Sequence, residues 1–135
     1  MMNLVKAVLE AYENGYRNFG IRVTPHECNP LAVGDNIPDS YDWDVENDCS
    51  TYETTGETLG GACTVGINTS CIWFDGSDED NADLAEEIEN AIQKAKKAGY
   101  WGEQIILAGN ETGCEYGQDA DEIILPNAKV IAIAE

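Results

Sequence analysis

The hydrophobic residues at the start of the chain recur every three or four positions. They are Leu4, Val5, Val8, Leu9 and Tyr12. This spacing places their side chains on one face of a helix. Asn3 can cap the first turn, and Gly15 is a typical helix terminator. The pattern predicts an amphipathic helix over residues 3–14.

The stretch that follows, "YRNFGIRVT", changes to a period of two. Its apolar residues Phe19, Ile21 and Val23 alternate with Asn18, Gly20 and Arg22. Alternation of this kind is typical of a strand with one buried face.

Residues 25–58 contain three of the four prolines and many of the acidic residues. We expect mostly loop here, with short edge strands near Leu31–Val33 and Tyr41–Trp43. The next stretches, "GGACTVGIN" and "CIWFDG", are rich in small, β-branched and aromatic residues. They predict one or two central strands.

The clearest element is "SDEDNADLAEEIENAIQKAKKAG", which carries an apolar stripe at helical spacing. The stripe is formed by Leu84, Ile88, Ile92 and Ala95. Acidic residues crowd the first turns and lysines the last, which matches the helix dipole. Ser77 or Asp80 is the expected N-cap, and Gly99 the expected end.

Three further apolar runs, "EQIILAG", "DEIIL" and "AKVIAIA", predict three more strands. Helices and strands do not alternate in a βαβ rhythm. The predicted fold is therefore a single α+β domain over residues 1–135, with a mainly antiparallel β-sheet and two α-helices.

Charge narrows the possible partners. The chain has 26 acidic residues against 7 basic ones, a net charge of −19. Direct binding to nucleic acid or to an anionic membrane is disfavoured, because both depend on Lys and Arg. Two interpretations remain: an acidic surface that confers solubility or salt tolerance, and a surface that mimics nucleic acid toward a basic partner.

We expect a cytoplasmic location, because the sequence shows neither a signal peptide nor an apolar run long enough to span a membrane. The five cysteines are expected to be reduced thiols, with Cys63 and Cys71 buried. A zinc site is disfavoured, because the chain has no CxxC motif and a single histidine. No cofactor and no metal are expected.

Enzymatic motifs are weak. His26 and Cys28 lie two residues apart between prolines, without a third group to orient the base. The stretch after Asp78 resembles an EF-hand loop, yet Asp83 stands where that loop requires glycine. The C-terminal loop resembles the Glu-x-Glu region of ADP-ribosyltransferases, but no Ser-Thr-Ser strand accompanies it, and this resemblance gives only the weaker alternative of a small nucleotide-processing enzyme.

Candidate ligand-binding residues are cations, aromatic rings and carboxylates near strand ends. An arginine can bind phosphate or pair with a nearby acid, and an aromatic ring can stack on a base or pack in the core. Carboxylates can accept hydrogen bonds from ribose hydroxyls or be solvated. The candidates are Arg17, Phe19, Arg22, Trp43, Tyr100, Trp101, Tyr116, Asp119, Asp121 and Glu122.

Three stretches resemble the phage anti-Thoeris sponge proteins of the first-described type. They are "LAVGDNIPDSYDWD", "LGGACTVGI" and "YWGEQIILAGNETGCEYGQDADEIILPNAKVIAI". These viral proteins sequester cyclic ADP-ribose-type immune signals. The resemblance implies an antiparallel sheet with two helices, assembled as a homodimer or higher homo-oligomer. It also implies a ligand site where protomers meet.

The sequence therefore predicts a non-enzymatic, phage-encoded sponge in the host cytoplasm that binds a cyclic nucleotide and inhibits anti-phage defence. The alternative is an acidic nucleic-acid mimic that inhibits a basic host protein, of the anti-CRISPR or anti-restriction type.

Overall fold

The computed structural model describes residues 2–24, 32–35, 40–44, 49–53, 64–97, 104–111, 115–116, 123–125 and 128–134. In chain order, its elements are α1 (Met2–Glu13), β1 (Asn18–Thr24), β2 (Ser40–Asp44), β3 (Cys49–Glu53), β4 (Thr64–Gly66), α2 (Asp78–Lys97), β5 (Gln104–Asn110), β6 (Glu115–Tyr116), β7 (Ile123–Ile124) and β8 (Lys129–Ala134). The predicted α+β class and the two helices are confirmed.

Four strands form an antiparallel sheet in the order β4-β1-β5-β8. Two separate ribbons pair β2 with β3 and β6 with β7. The chain thus returns to the main sheet from distant parts of the sequence, and β1 and β5 occupy its centre.

Both helices pack on one face of the sheet. Leu4, Val5 and Val8 of α1 meet the α2 stripe over Phe19 and Ile21 of β1. The predicted stripe is confirmed, because all four of its residues are buried; these are Leu84, Ile88, Ile92 and Ala95. Burial of these two helical faces against one sheet face forms the larger core.

The opposite face of the sheet is also covered. Ile106 and Ala108 of β5 pack with Leu125, Ala128 and Val130 from the C-terminal part of the chain. β5 therefore reads as a continuous apolar run, since both of its faces are buried. The prediction that β1 has one buried face is wrong. Both of its faces are buried, because Arg22 on the second face is only 1% exposed.

Ser77 is the N-cap of α2. Its carbonyl accepts the first helical hydrogen bond from Asn81, and its Oγ accepts one from the Asp80 N–H at 3.2 Å. This geometry satisfies a backbone donor that the helix leaves without an internal partner. Asp80 sits inside the helix and is not its cap.

Three local predictions are wrong. Residues 32 and 33, predicted as strand, lie in or beside a turn, whereas Leu31 is outside the described residues. The "CIWFDG" segment is irregular, and β4 lies at the end of the strand order and not in its centre. Cys71 is exposed because it lies in that irregular segment, while Cys63 is outside the described residues.

Candidate functional site

An open groove of about 270 Å³ lies between the C-terminal half of α1, the turn 32–35 and the start of β8. Its floor is apolar and its rim is polar. The lining residues are Ala7, Glu10, Ala11, Asn14, Tyr16, Val33, Gly34, Lys129, Val130 and Ile131. Apolar walls with a few polar groups are typical of small-molecule sites.

One wall of the groove is a turn fixed by its own hydrogen bonds. The Asp35 N–H donates to the Ala32 carbonyl at 3.0 Å, and the Ala32 N–H donates to the Asp35 carboxylate at 2.8 Å. Gly34 supplies the left-handed φ of 95° that the turn needs. The turn is tied to β8 because Val130 donates to the Asp35 carbonyl and accepts from the Gly34 N–H.

The other wall is the end of α1, where Gly15 at φ 101° closes the helix. The Gly15 N–H donates to the Tyr12 carbonyl at 3.1 Å, and the Tyr16 N–H donates to the Ala11 carbonyl at 2.9 Å. These two bonds define a Schellman motif. It holds the backbone of Tyr16 at a fixed position on the rim of the groove.

Four polar side chains of different chemistry line this groove: the carboxylate of Glu10, the amide of Asn14, the phenol of Tyr16 and the ammonium of Lys129. Glu10 and Asn14 are four residues apart on α1, so they share one helical face. Within the described part of the chain, neither Glu10 nor Lys129 forms an ion pair. Both side chains are exposed.

Arg17 follows Tyr16 directly in sequence and is exposed. Its Nη1 donates to the carbonyls of Tyr12 and Tyr16, each at 2.8 Å, and its guanidinium lies 4.0 Å from the centre of the Tyr12 ring. Arg17 thus satisfies carbonyls at the end of α1. None of the sequence-predicted residues whose side chains are described lines the groove.

The structure places two other predicted residues inside the protomer. Phe19 belongs to the core between the helices and the sheet. Arg22 is buried on the opposite face of β1, where it lies across from Thr64 of β4 and Ile106 of β5. Neither side chain reaches the groove.

The remaining predicted residues are not brought together by the described structure. Trp43 lies in β2 and Tyr116 in β6, and only their backbone is described. Five others lie outside the described residues, and their ligand-binding role stays a prediction; they are Tyr100, Trp101, Asp119, Asp121 and Glu122. His26 and Cys28 also lie outside them.

Sequence reasoning missed the four polar residues that line the groove. A signal for Tyr16 was present, because a glycine that ends a helix fixes the position of the next residue. Lys129 offered no such signal, since its place in the groove depends on how the turn 32–35 docks on β8.

No group of three or more His, Cys, Asp or Glu side chains is positioned to hold a metal ion in the described ranges. In those same ranges, neither helix combines the length and the apolar character that a membrane span requires. The sequence matches no protein-family model, no curated protein and no solved structure.

Proposed function

We propose that the protein is a non-enzymatic phage sponge that sequesters a cyclic ADP-ribose-type nucleotide in the host cytoplasm and so inhibits anti-phage defence. The observation that carries this proposal is the groove beside α1. It combines an aromatic ring, an amide, a carboxylate and an ammonium over an apolar floor. The sequence resemblance to anti-Thoeris sponges supports the class of ligand.

Each part of such a ligand has a suitable group in the groove. The Tyr16 ring offers a surface for the base. Lys129 offers positive charge to the phosphates, where an otherwise acidic protein would repel them. The Glu10 carboxylate is a pure acceptor and suits the hydroxyl groups of ribose.

The size of the groove supports assembly. At about 270 Å³ it is smaller than the roughly 300–1,000 Å³ of typical ligand pockets, which enclose most of their ligand. A second copy of the chain would add the missing walls. We therefore propose a homodimer or a higher homo-oligomer as the binding form, and light scattering should detect at least a dimer at micromolar concentration. A strict monomer would contradict this form of the proposal.

Thermal unfolding with cyclic ADP-ribose isomers tests the proposal. A ligand that binds only the folded state at a hundredfold excess over its Kd stabilises the protein by about 2.7 kcal/mol. We expect a clear rise in Tm for one isomer. Lys129→Ala should weaken binding roughly tenfold, because one charge-assisted contact is lost. Lys96→Ala, which removes an exposed lysine of α2, is the matched control and should leave the affinity unchanged.

The fate of the bound molecule separates a sponge from an enzyme. After the complex is heated, chromatography of the supernatant should recover the added isomer unaltered. A cleaved product that accumulates with incubation time would instead identify the nucleotide-processing enzyme. No rise in Tm with any isomer would contradict the sponge.

The outer surface of α2 favours a second candidate, an acidic mimic that inhibits a basic host protein. Six of its seven acidic residues are not buried; they are Asp78, Glu79, Asp83, Glu86, Glu87 and Glu89. They span about 17 Å of helix at 1.5 Å per residue. That is about one charge per 3 Å, close to the roughly 3.4 Å along one DNA strand.

Competition with DNA tests this second candidate. The protein should displace labelled duplex from a basic DNA-binding domain, and fluorescence anisotropy can follow the displacement. A triple variant with Asp83→Asn, Glu86→Gln and Glu89→Gln should compete more weakly, because three exposed charges are removed. Equal competition by both proteins, or none by either, would reject the mimic.

A further inference from the structure

Trp73 is the most exposed large apolar side chain in the described part of the molecule. Its indole is 82% exposed, and only Val33, at 63%, is comparable. Tryptophan is highly buried on average in folded proteins. Tryptophan is also enriched among the few residues that contribute most of the binding energy at protein interfaces.

A buried carboxylate fixes the backbone beneath the indole. Asp80, 4% exposed, accepts hydrogen bonds from the Trp73 N–H at its Oδ1 and from the Phe74 N–H at its Oδ2, each at 2.8 Å. Phe74 adopts a left-handed φ of 56°, which costs energy for a residue other than glycine. The turn is therefore held by specific contacts.

Phe74 provides a second anchor. Its ring stacks on Tyr12 of α1 with a centroid distance of 3.8 Å and an interplanar angle of 4°. Arg17 lies 4.0 Å from the centre of the same Tyr12 ring. Two groups so close to one ring cannot share a face, so Tyr12 is enclosed between Phe74 and Arg17. With Phe74 held in this stack, the neighbouring Trp73 stays outside.

The charges near the turn favour a cationic occupant. Asp75, Asp78 and Glu79 follow Trp73 in sequence, and all three are exposed. The chain has no Lys or Arg between Arg22 and Lys94. An exposed indole with three exposed carboxylates within the next six residues favours a cation over a phosphate.

We propose that Trp73, with Asp75 and Asp78, is a docking site for an arginine side chain of a basic protein partner. Arginine fits better than lysine, because its planar guanidinium stacks on an indole while it donates to carboxylates. This inference rests on the second candidate function, since it names the contact that would anchor a basic partner. It is independent of nucleotide binding in the groove beside α1.

Labelled nona-arginine and nona-lysine peptides test the site by fluorescence anisotropy. A surface that responds to charge alone would bind both peptides equally, whereas carboxylates that hold the guanidinium with two hydrogen bonds would give a preference for arginine that does not depend on Trp73. We expect the native protein to prefer nona-arginine. Trp73→Ala should weaken nona-arginine binding roughly twofold to fivefold, the range of an exposed cation–π contact, and should weaken nona-lysine binding less, because arginine also stacks its plane on the indole.

Val33→Ala is the matched control, because it removes the other exposed large apolar side chain of the described residues, in the turn 32–35. It should preserve the preference for arginine. If Trp73→Ala keeps that preference, or if the native protein never has it, the docking site is rejected. The triple α2 variant distinguishes the acidic mimic from the arginine site. If this variant binds neither peptide while Trp73→Ala binds both as the native protein does, the mimic is retained and the arginine site is rejected.

Discussion

The Cδ1 methyl group of Ile131 occupies the space that a side chain at position 109 would need. A Cβ built on Gly109 would overlap this methyl group and would lie 3.1 Å from the Asn18 carbonyl oxygen and 3.2 Å from Phe19 Cδ1. The arrangement arises at a β-bulge, where Leu107 pairs with Ala132 but Ala108 pairs with Val130. Ile131 is the extra residue, it packs against the core on the helical side, and its methyl group fills the space that Gly109 leaves by having no Cβ.

Gly109→Ala should therefore destabilise the protein by about 1–3 kcal/mol, the usual cost of overpacking a core. Urea unfolding monitored by circular dichroism measures this change as a lower midpoint. Ile131→Val removes the Cδ1 atom and should offset part of the cost when it is combined with Gly109→Ala. Strictly additive effects of the two substitutions would show that the overlap is not the cause.

The sequence predicted this region as a strand but could not predict the bulge. "AKVIAIA" alternates imperfectly, and a single shifted residue changes which side chains face the helices. The shift is decided by space across β5, where Gly109 leaves room for Ile131. That information lies in a contact between residues far apart in sequence, not in the period of either strand.

The two helices were predicted closely, because their signals do not depend on contacts between distant residues. Their signals are local: an apolar stripe, a capping serine and a terminating glycine all act within a few residues. Ser77 and Gly15 accordingly take the expected roles. The groove beside α1 depends on three segments from distant parts of the chain, so local patterns indicated only its Gly15-Tyr16 corner.

Asp80→Asn should loosen the turn that presents Trp73. The native carboxylate uses both oxygens to accept backbone hydrogen bonds, whereas an amide has one oxygen. Loss of one charge-assisted bond to a buried group should lower the free energy of unfolding by about 1.5–3 kcal/mol. Hydrogen exchange should accelerate at the amides of Trp73 and Phe74.

Asp78→Asn is the matched control for this substitution, because Asp78 is exposed in the same helical turn. It should change the free energy of unfolding by less than about 0.5 kcal/mol. Equal effects of the two substitutions would contradict a specific role for Asp80 in holding the turn.

Ser77→Ala should affect both the helix and a neighbouring carboxylate. Loss of the N-cap hydroxyl should destabilise the protein by about 1 kcal/mol. The backbone and side chain of Ser77 hold the pKa of Asp75 below its usual value of 3.8. Because the variant keeps the backbone N–H and loses the hydroxyl, the pKa of Asp75 should rise part of the way back.

The sign of the associated pH effect follows from the lowered pKa of Asp75. Its contribution to stability is present above the unfolded-state pKa and is lost as the pH falls through the lower folded-state pKa. Carboxyl-detected NMR titration of native protein and Ser77→Ala measures the change. Ser70→Ala, in an exposed turn, should leave the pKa of Asp75 where it is. An identical pKa of Asp75 in native protein and Ser77→Ala would refute the contribution of the hydroxyl.

Substitutions of Arg22 distinguish a structural role of this residue from a role in ligand binding. The sequence allowed its guanidinium to bind phosphate, but the side chain is 1% exposed in the centre of the sheet. Arg22→Ala should lower the free energy of unfolding by about 2–5 kcal/mol, because it leaves a cavity where a long side chain packed. Arg22→Met, which keeps most of the volume, should be less harmful in urea unfolding.

The decisive measurement is the nucleotide affinity of folded Arg22→Met. If the groove beside α1 is the ligand site, this variant should bind a cyclic ADP-ribose isomer as tightly as the native protein, whereas Lys129→Ala should bind roughly tenfold more weakly. Titration calorimetry at a temperature where Arg22→Met is folded gives both affinities. If folded Arg22→Met no longer binds the nucleotide while Lys129→Ala binds it as tightly as the native protein does, the groove is not the ligand site. The site would then lie on the buried face of β1.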